Sequence, residues 1–131
     1  MIALDTNALL RWIVADDAAQ HRRVVDALKR AAARKQSVFI AEIVTVEAVW
    51  TLLRRYKLSR KDTAEALRRL LSTSFLVMEN EAMLNQALLA FEQGRGDFSD
   101  YLIREHARAA QAKPILTFDE VLGKDADFSQ P

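Results

Sequence analysis

"MIALDTNALL", residues 1–10, sets a short apolar run, an acid and the start of a helical pattern side by side. The run through Leu4 is strand-length, and Asp5-Thr6-Asn7 are residue types that open helices. The same arrangement recurs along the chain. SVFIA (37–41), FLVME (75–79) and PILTF (114–118) are further short runs with little polar alternation, as strands covered on both faces of a parallel sheet require. Helical spacing fills 6–14, 17–35, 42–56, 60–73, 81–93 and 97–112. Asp16-Asp17 and Ser59 fit N-caps, and Pro114 stops the helix before the fourth strand. Alternating strands and helices with right-handed crossovers predict an α/β fold, a three-layer α/β/α sandwich around a central parallel sheet of four or five strands.

Composition agrees with one domain spanning 1–131, long enough to bury about two thirds of its unfolded surface. Half of the residues are hydrophobic and 28% are charged, which excludes a disordered chain. Without cysteine there is no disulfide framework or thiolate zinc site, and two histidines make a histidine-rich zinc site improbable. The first residues lack a basic and apolar leader, and no run of about 18 apolar residues could span a membrane. A cytoplasmic protein is expected. The net charge of +1 conceals an asymmetry: residues 22–69 hold 13 Lys/Arg against 5 Asp/Glu, whereas 70–131 hold 5 against 10. Solvated helix faces account for such clusters, yet a basic segment beside an acidic one also suits a polyanion that must approach carboxylates.

Acids collect at the carboxyl ends of the expected strands, where α/β sheets bind ligands. Asp5, Glu79 and Asp119 lie at the ends of the first, third and fourth, Glu47 lies early in the helix after the second, and Asp97/Asp100 open the helix before the fourth. Each has two readings. Asp5 is either the N-cap of the first helix or a cation ligand braced by Asn7. Glu47 borders an apolar stripe of Ile43, Val46, Val49, Trp50 and Leu53, where an unpaired buried carboxylate costs several kcal/mol. Asp100 shares helical spacing with Ile103, Ala107 and Ala110, a stripe expected to face the core, while Asp97 sits a turn earlier as a cap. Asp119 is a turn residue or a ligand, with the Thr117 hydroxyl able to orient it or a water. Several carboxylates gathered at one sheet edge repel one another unless cations intervene.

Taken together, "MIALDTNALLRWIVADD", "TVEAVW", "DFSDYLI" and "ILTFDEVL" resemble the PIN domain, specifically the VapC-type toxins of toxin–antitoxin modules, over essentially the whole chain. The resemblance implies a Mg²⁺- or Mn²⁺-dependent endoribonuclease, a homodimer held inactive by a small cognate antitoxin. It carries the catalytic and metal-binding roles to Asp5, Glu47, Asp100 and Asp119, with Asn7, Asp97 and Thr117 in support. An all-oxygen ligand set suits hard divalent cations and metal-assisted phosphodiester hydrolysis. Arg22, Arg23, Arg54 and Arg55 are the arginines expected to contact RNA phosphates, and the antitoxin is expected near Leu10, Trp12 and Ile13. A receiver-like Mg²⁺-binding phosphoacceptor domain is a second reading. It wants paired acids after the first strand and a lysine after the last, and the chain has neither. A non-catalytic nucleic-acid-binding module, its acids merely capping helices, is the third.

Overall fold

β1 (Ile2–Ala3) and α1 (Thr6–Ile13) open the first of two compact units in the computed structural model, which describes Met1–Pro131. That unit, Met1–Asn80, continues through α2 (Ala18–Ala33), β2 (Val38–Ile40), α3 (Glu42–Arg54), α4 (Arg60–Leu71) and β3 (Leu76–Met78). The second, Glu81–Pro131, holds α5 (Glu81–Gln93), α6 (Phe98–Ala109), β4 (Ile115–Leu116), a 3-10 turn (Leu122–Lys124) and β5 (Phe128–Ser129).

All five strands pair in parallel. In the first unit the order is β1-β2-β3, with Ile2 opposite Val38 and Val38 opposite Leu76. In the second, β4 pairs with β5, Ile115 opposite Phe128. The ladders are shorter than the apolar runs that announce them, and β5 lies in a polar tail with no such run. α6 ends three residues before the expected 112, because Gln111 adopts a left-handed conformation (φ 58°) that a helix cannot continue through.

Local chemistry sets most helix starts. The Asp5, Asp17 and Ser59 side chains accept the N–H groups of Ala8, Gln20 and Asp62, each contact satisfying one orphan donor of a first turn. α3 begins after Ala41, which has no side-chain acceptor. Its cap comes from elsewhere in the unit: the Glu79 carboxylate, just past β3, accepts the Glu42 N–H at 2.8 Å, and Asn80 Nδ2 donates to Glu42 Oε2 at 2.7 Å.

Leu9, Val38, Ile40 and Leu52 are almost fully buried in the first unit, and burying each such side chain contributes about 1.5–3 kcal/mol. In the second, Phe91 of α5 meets Phe98 of α6 edge-on at 6.3 Å, with Leu84, Tyr101 and Leu102 buried in the same unit. The buried face of α6 is therefore Phe98, Tyr101 and Leu102. The expected stripe of Ile103, Ala107 and Ala110 is not the core face, since Ile103 is 53% exposed. Aromatic bulk, rather than the parallel series of smaller apolar residues, decides which side turns inward.

Candidate functional site

Two elements of the second unit, the start of α6 and the turn after β4, deliver three acids. Asp97 is the N-cap of α6, its backbone extended at φ −76° and ψ 157°, and its N–H is accepted by Asp100 Oδ2 at 2.9 Å. Asp119 sits in the turn after β4. Its Oδ1 accepts the N–H groups of Val121 and Leu122, both at 2.9 Å, and its own N–H donates to Thr117 Oγ1 at 3.1 Å. Thr117 thus holds the Asp119 backbone, and no contact with the Asp119 carboxylate is made. Asp100 is half-buried beside the aromatic face of α6. Burial pushes its carboxyl above the usual carboxylate range, the Asp97 N–H opposes that shift, and the negative charges of Asp97 and Asp119 add to it. These three acids therefore feel one another.

The first unit places its acids differently. Asp5 follows β1, and its Oδ1 takes the Ala8 N–H at 2.8 Å. Asn7, expected to brace that carboxylate, is instead exposed on the first turn of α1, and a backbone donor does the bracing. Glu47 lies in the second turn of α3 and is exposed. The buried residues of α3 are Val44, Thr45, Ala48, Val49 and Leu52, while Ile43 and Trp50 are 67% and 61% exposed. Glu47 therefore shares an outward face with Ile43 and Trp50, and no buried-charge penalty arises. Within neither unit do three Asp, Glu or His side chains form a ready-made ligand cluster.

A shared detail links Asp5, Asp100 and Asp119. Each has one carboxylate oxygen held by backbone N–H at the start of a helical turn, which fixes the side chain and leaves its second oxygen outside those bonds. Oriented carboxylate oxygens, one of them in a group of like charges, suit a hard divalent cation better than a zinc-type nitrogen and sulfur site. Carboxylate oxygen is the donor type that such an ion takes, so each of these residues fits it by chemistry.

Two features lay outside the reach of sequence reasoning. One is the clamp around Tyr101, whose buried hydroxyl donates to Asp125 Oδ2 at 2.7 Å and accepts the Gly96 N–H at 3.0 Å. Burial first, then the Asp125 contact, raises its phenol above the ordinary tyrosine range. The other is a groove between α1 and α2 lined by Arg11, Arg23 and Arg30. A Gly-x-Gly before an aspartate was the only signal for the first. The second had only an undirected excess of basic residues.

Residues 2–127 match the PIN domain family. The chain is also similar to a VapC ribonuclease from Aquifex aeolicus (strain VF5), 23% identical over 118 residues that cover 90% of this chain and 87% of that protein. The family fold is a three-layer α/β/α sandwich, the class that the strand and helix alternation predicts.

Proposed function

The chain belongs to the PIN-domain family, and on that premise we propose that it is a metal-dependent endoribonuclease, the toxin of a type II toxin–antitoxin module. Membership removes the receiver-like reading. The observation that supports the nuclease reading is the half-buried Asp100, whose carboxyl is raised first by burial and further by the negative charges of Asp97 and Asp119, a setting that a cation would relieve.

In this reading Asp5, Glu47, Asp100 and Asp119 hold Mg²⁺ or Mn²⁺. Such an ion, when bound, supplies Lewis-acid activation of water and neutralises charge on the departing oxygen. The backbone bonds to Asp5, Asp100 and Asp119 keep their carboxylates from swinging, so the ligand geometry is set before RNA arrives. Glu47 is exposed, and its carboxylate is available to orient the attacking water and take its proton. Water attacks phosphorus in line with the bond to the 3′ oxygen; that bond breaks, the 5′-side fragment ends in a 3′-hydroxyl after taking a proton from solvent, and the 3′-side fragment keeps the phosphate on its 5′ oxygen. The 2′-hydroxyl takes no part.

The rest of the assembly follows from the same reading. A small cognate antitoxin covers the apolar side of α1, where Trp12 lies 5.9 Å from Phe75. A second copy of the chain completes a homodimer of standard interface size. No helix is long and apolar enough to cross a membrane, and the proposed setting is the cytoplasm, where RNA is met.

The test is incubation of the purified chain with single-stranded RNA in Mg²⁺, in Mn²⁺ and in EDTA, with Asp100→Asn purified alongside to expose contaminating nuclease. Cleavage in either cation, silence in EDTA and 5′-phosphate ends are expected. Cleavage undiminished by chelator rejects the mechanism.

A further inference from the structure

The groove between α1 and α2 has a volume of about 470 Å³ and lies wholly within the first unit. Leu4 and Asn7, which flank Asp5-Thr6 in the chain, are among its lining residues, so the groove reaches the segment that carries Asp5. Its floor is apolar, from Leu4, Ala8, Val24 and Ala27. Its walls are cationic, but its three arginines are not equivalent.

Arg11 is committed. It reaches Asp16 at 3.1 Å and the Tyr56 hydroxyl at 3.2 Å, and its Nε donates to Gln20. Arg23 and Arg30 have no such partner. They stand seven residues apart on α2, two turns on one face and about 10 Å along the axis. Asp26 lies between them on the same face without forming an ion pair with either. Exposed guanidiniums left unpaired beside a carboxylate are ready to accept a stronger anion. Phosphate is that anion, since a guanidinium fork matches it with two parallel hydrogen bonds.

We propose that this groove is a subsite for the backbone of single-stranded RNA, in which Arg23 and Arg30 hold two phosphates of the strand that approaches Asp5. The proposal rests on the ribonuclease reading for the identity of the polyanion. Groove size favours a single strand: pockets for small ligands run from roughly 300 to 1,000 Å³, which admits a nucleotide and its neighbour's phosphate but not a duplex. The apolar floor gives a base or ribose a surface to lie on. Arg22 does not line the groove, although it is the sequence neighbour of Arg23, and Arg54 and Arg55 are equally absent from it. The subsite therefore narrows the expected arginine set to Arg23 and adds Arg30.

The experiment is fluorescence anisotropy of a labelled short single-stranded RNA with the full chain in EDTA, which stops cleavage, over a series of salt concentrations. R23Q/R30Q is compared with K61Q/R69Q, a pair eight residues apart on α4 that removes the same charge. Binding to R23Q/R30Q is expected to weaken on the order of tenfold, and its salt slope to fall by about 1.4, at about 0.7 per lost single-strand phosphate contact. K61Q/R69Q should keep the wild-type slope. Equal weakening by both pairs, an unchanged R23Q/R30Q, or no RNA binding by the wild type in EDTA each overturns the subsite. The groove occupied instead by an acidic protein would leave RNA affinity untouched by R23Q/R30Q, which is the same refutation. Cleavage in Mg²⁺, measured on the same samples, separates the two ideas. Arginine-dependent binding without any cleavage keeps the subsite and sinks the nuclease, and normal cleavage with arginine-independent binding does the reverse.

Discussion

Asp97 donates its backbone N–H to the carboxylate of Asp100 at 2.9 Å, so the acid proposed as a ligand also secures the first turn of α6. The two roles are compatible because only Oδ2 is used. Asp100→Asn keeps an oxygen for that N–H while losing the charge, and is expected to lower cleavage on the order of 100-fold or more with the fold intact. Asp97→Ala removes the N-cap side chain, costing about 0.5–2 kcal/mol, but spares the backbone donor that orients Asp100. Its cleavage should fall less. Thermal melts and rate measurements on both variants decide it, and the opposite pattern exchanges the roles.

The pH dependence of stability has two components of opposite sign. Asp100 is raised, so its favourable contribution is complete below the ordinary carboxylate value near 3.9 and is lost as pH climbs through the folded value. Metal-free Asp100→Asn should therefore match wild type near pH 3 and melt higher at pH 7. Adding Mg²⁺ should raise the wild-type melting temperature and leave the variant unmoved.

Asp127 runs the other way. Its hydrogen bond and ion pair with Arg108, at 2.6 Å, hold its carboxyl below the usual range, so that contribution is present above about pH 4 and disappears as pH drops through the folded value. Asp127→Asn should melt below wild type at pH 7, and the two curves should converge on acidification. A constant gap at every pH would dissociate Asp127 from that titration.

Gly94 follows the last turn of α5 with no positive φ, so its small size rather than its backbone freedom is what the position uses. A Cβ there would lie 2.0 Å from the Tyr101 hydroxyl oxygen and 2.8 Å from its Cζ. Gly→Ala at a compatible site stabilises by about 0.4–1 kcal/mol, but here overpacking should cost about 1–3 kcal/mol. Tyr101→Phe removes the closest atom, so the Gly94→Ala/Tyr101→Phe pair should lose less than the sum of the single losses. Additive losses in denaturant melts would rule out the clamp.

Glu47 supplies the cleanest separation of function from stability. Exposed on α3, it can become glutamine within about 0.5 kcal/mol of wild type. Cleavage should nevertheless be lost. Full activity in Glu47→Gln would remove it from the proposed ligand set.

Much of the scaffold is legible in the sequence because its determinants are local. Asp17 and Ser59 announce their helices within three residues, and α5 spans the expected 81–93. What fails is whatever depends on distant partners or on a choice between competing faces. Glu79 caps a helix that begins 37 residues before it, a relation no local pattern encodes. In α6 two apolar series overlap, and the one carrying Asp100 and Ile103 lost to Phe98, Tyr101 and Leu102. Asp100 is half-buried because it lies beside the aromatic series, not because its own apolar series faces the core. Glu47 borders a stripe by spacing, but two of that stripe's members, Ile43 and Trp50, flank it in the open. The acidic positions were legible as residue types, whereas their backbone partners were not.

The backbone bonds at Asp5, Asp100 and Asp119 also bear on which cation is accepted. With one oxygen of each already accepting backbone N–H, the proposed site has each carboxylate's other oxygen best placed to meet a cation, which disfavours a bidentate grip. Calcium, large and content with six to eight oxygens, draws on such bidentate carboxylates, whereas magnesium takes six at strict octahedral angles and retains its waters. In the proposed site, one-toothed ligands on stiff mounts would discriminate by denticity and favour the smaller ion.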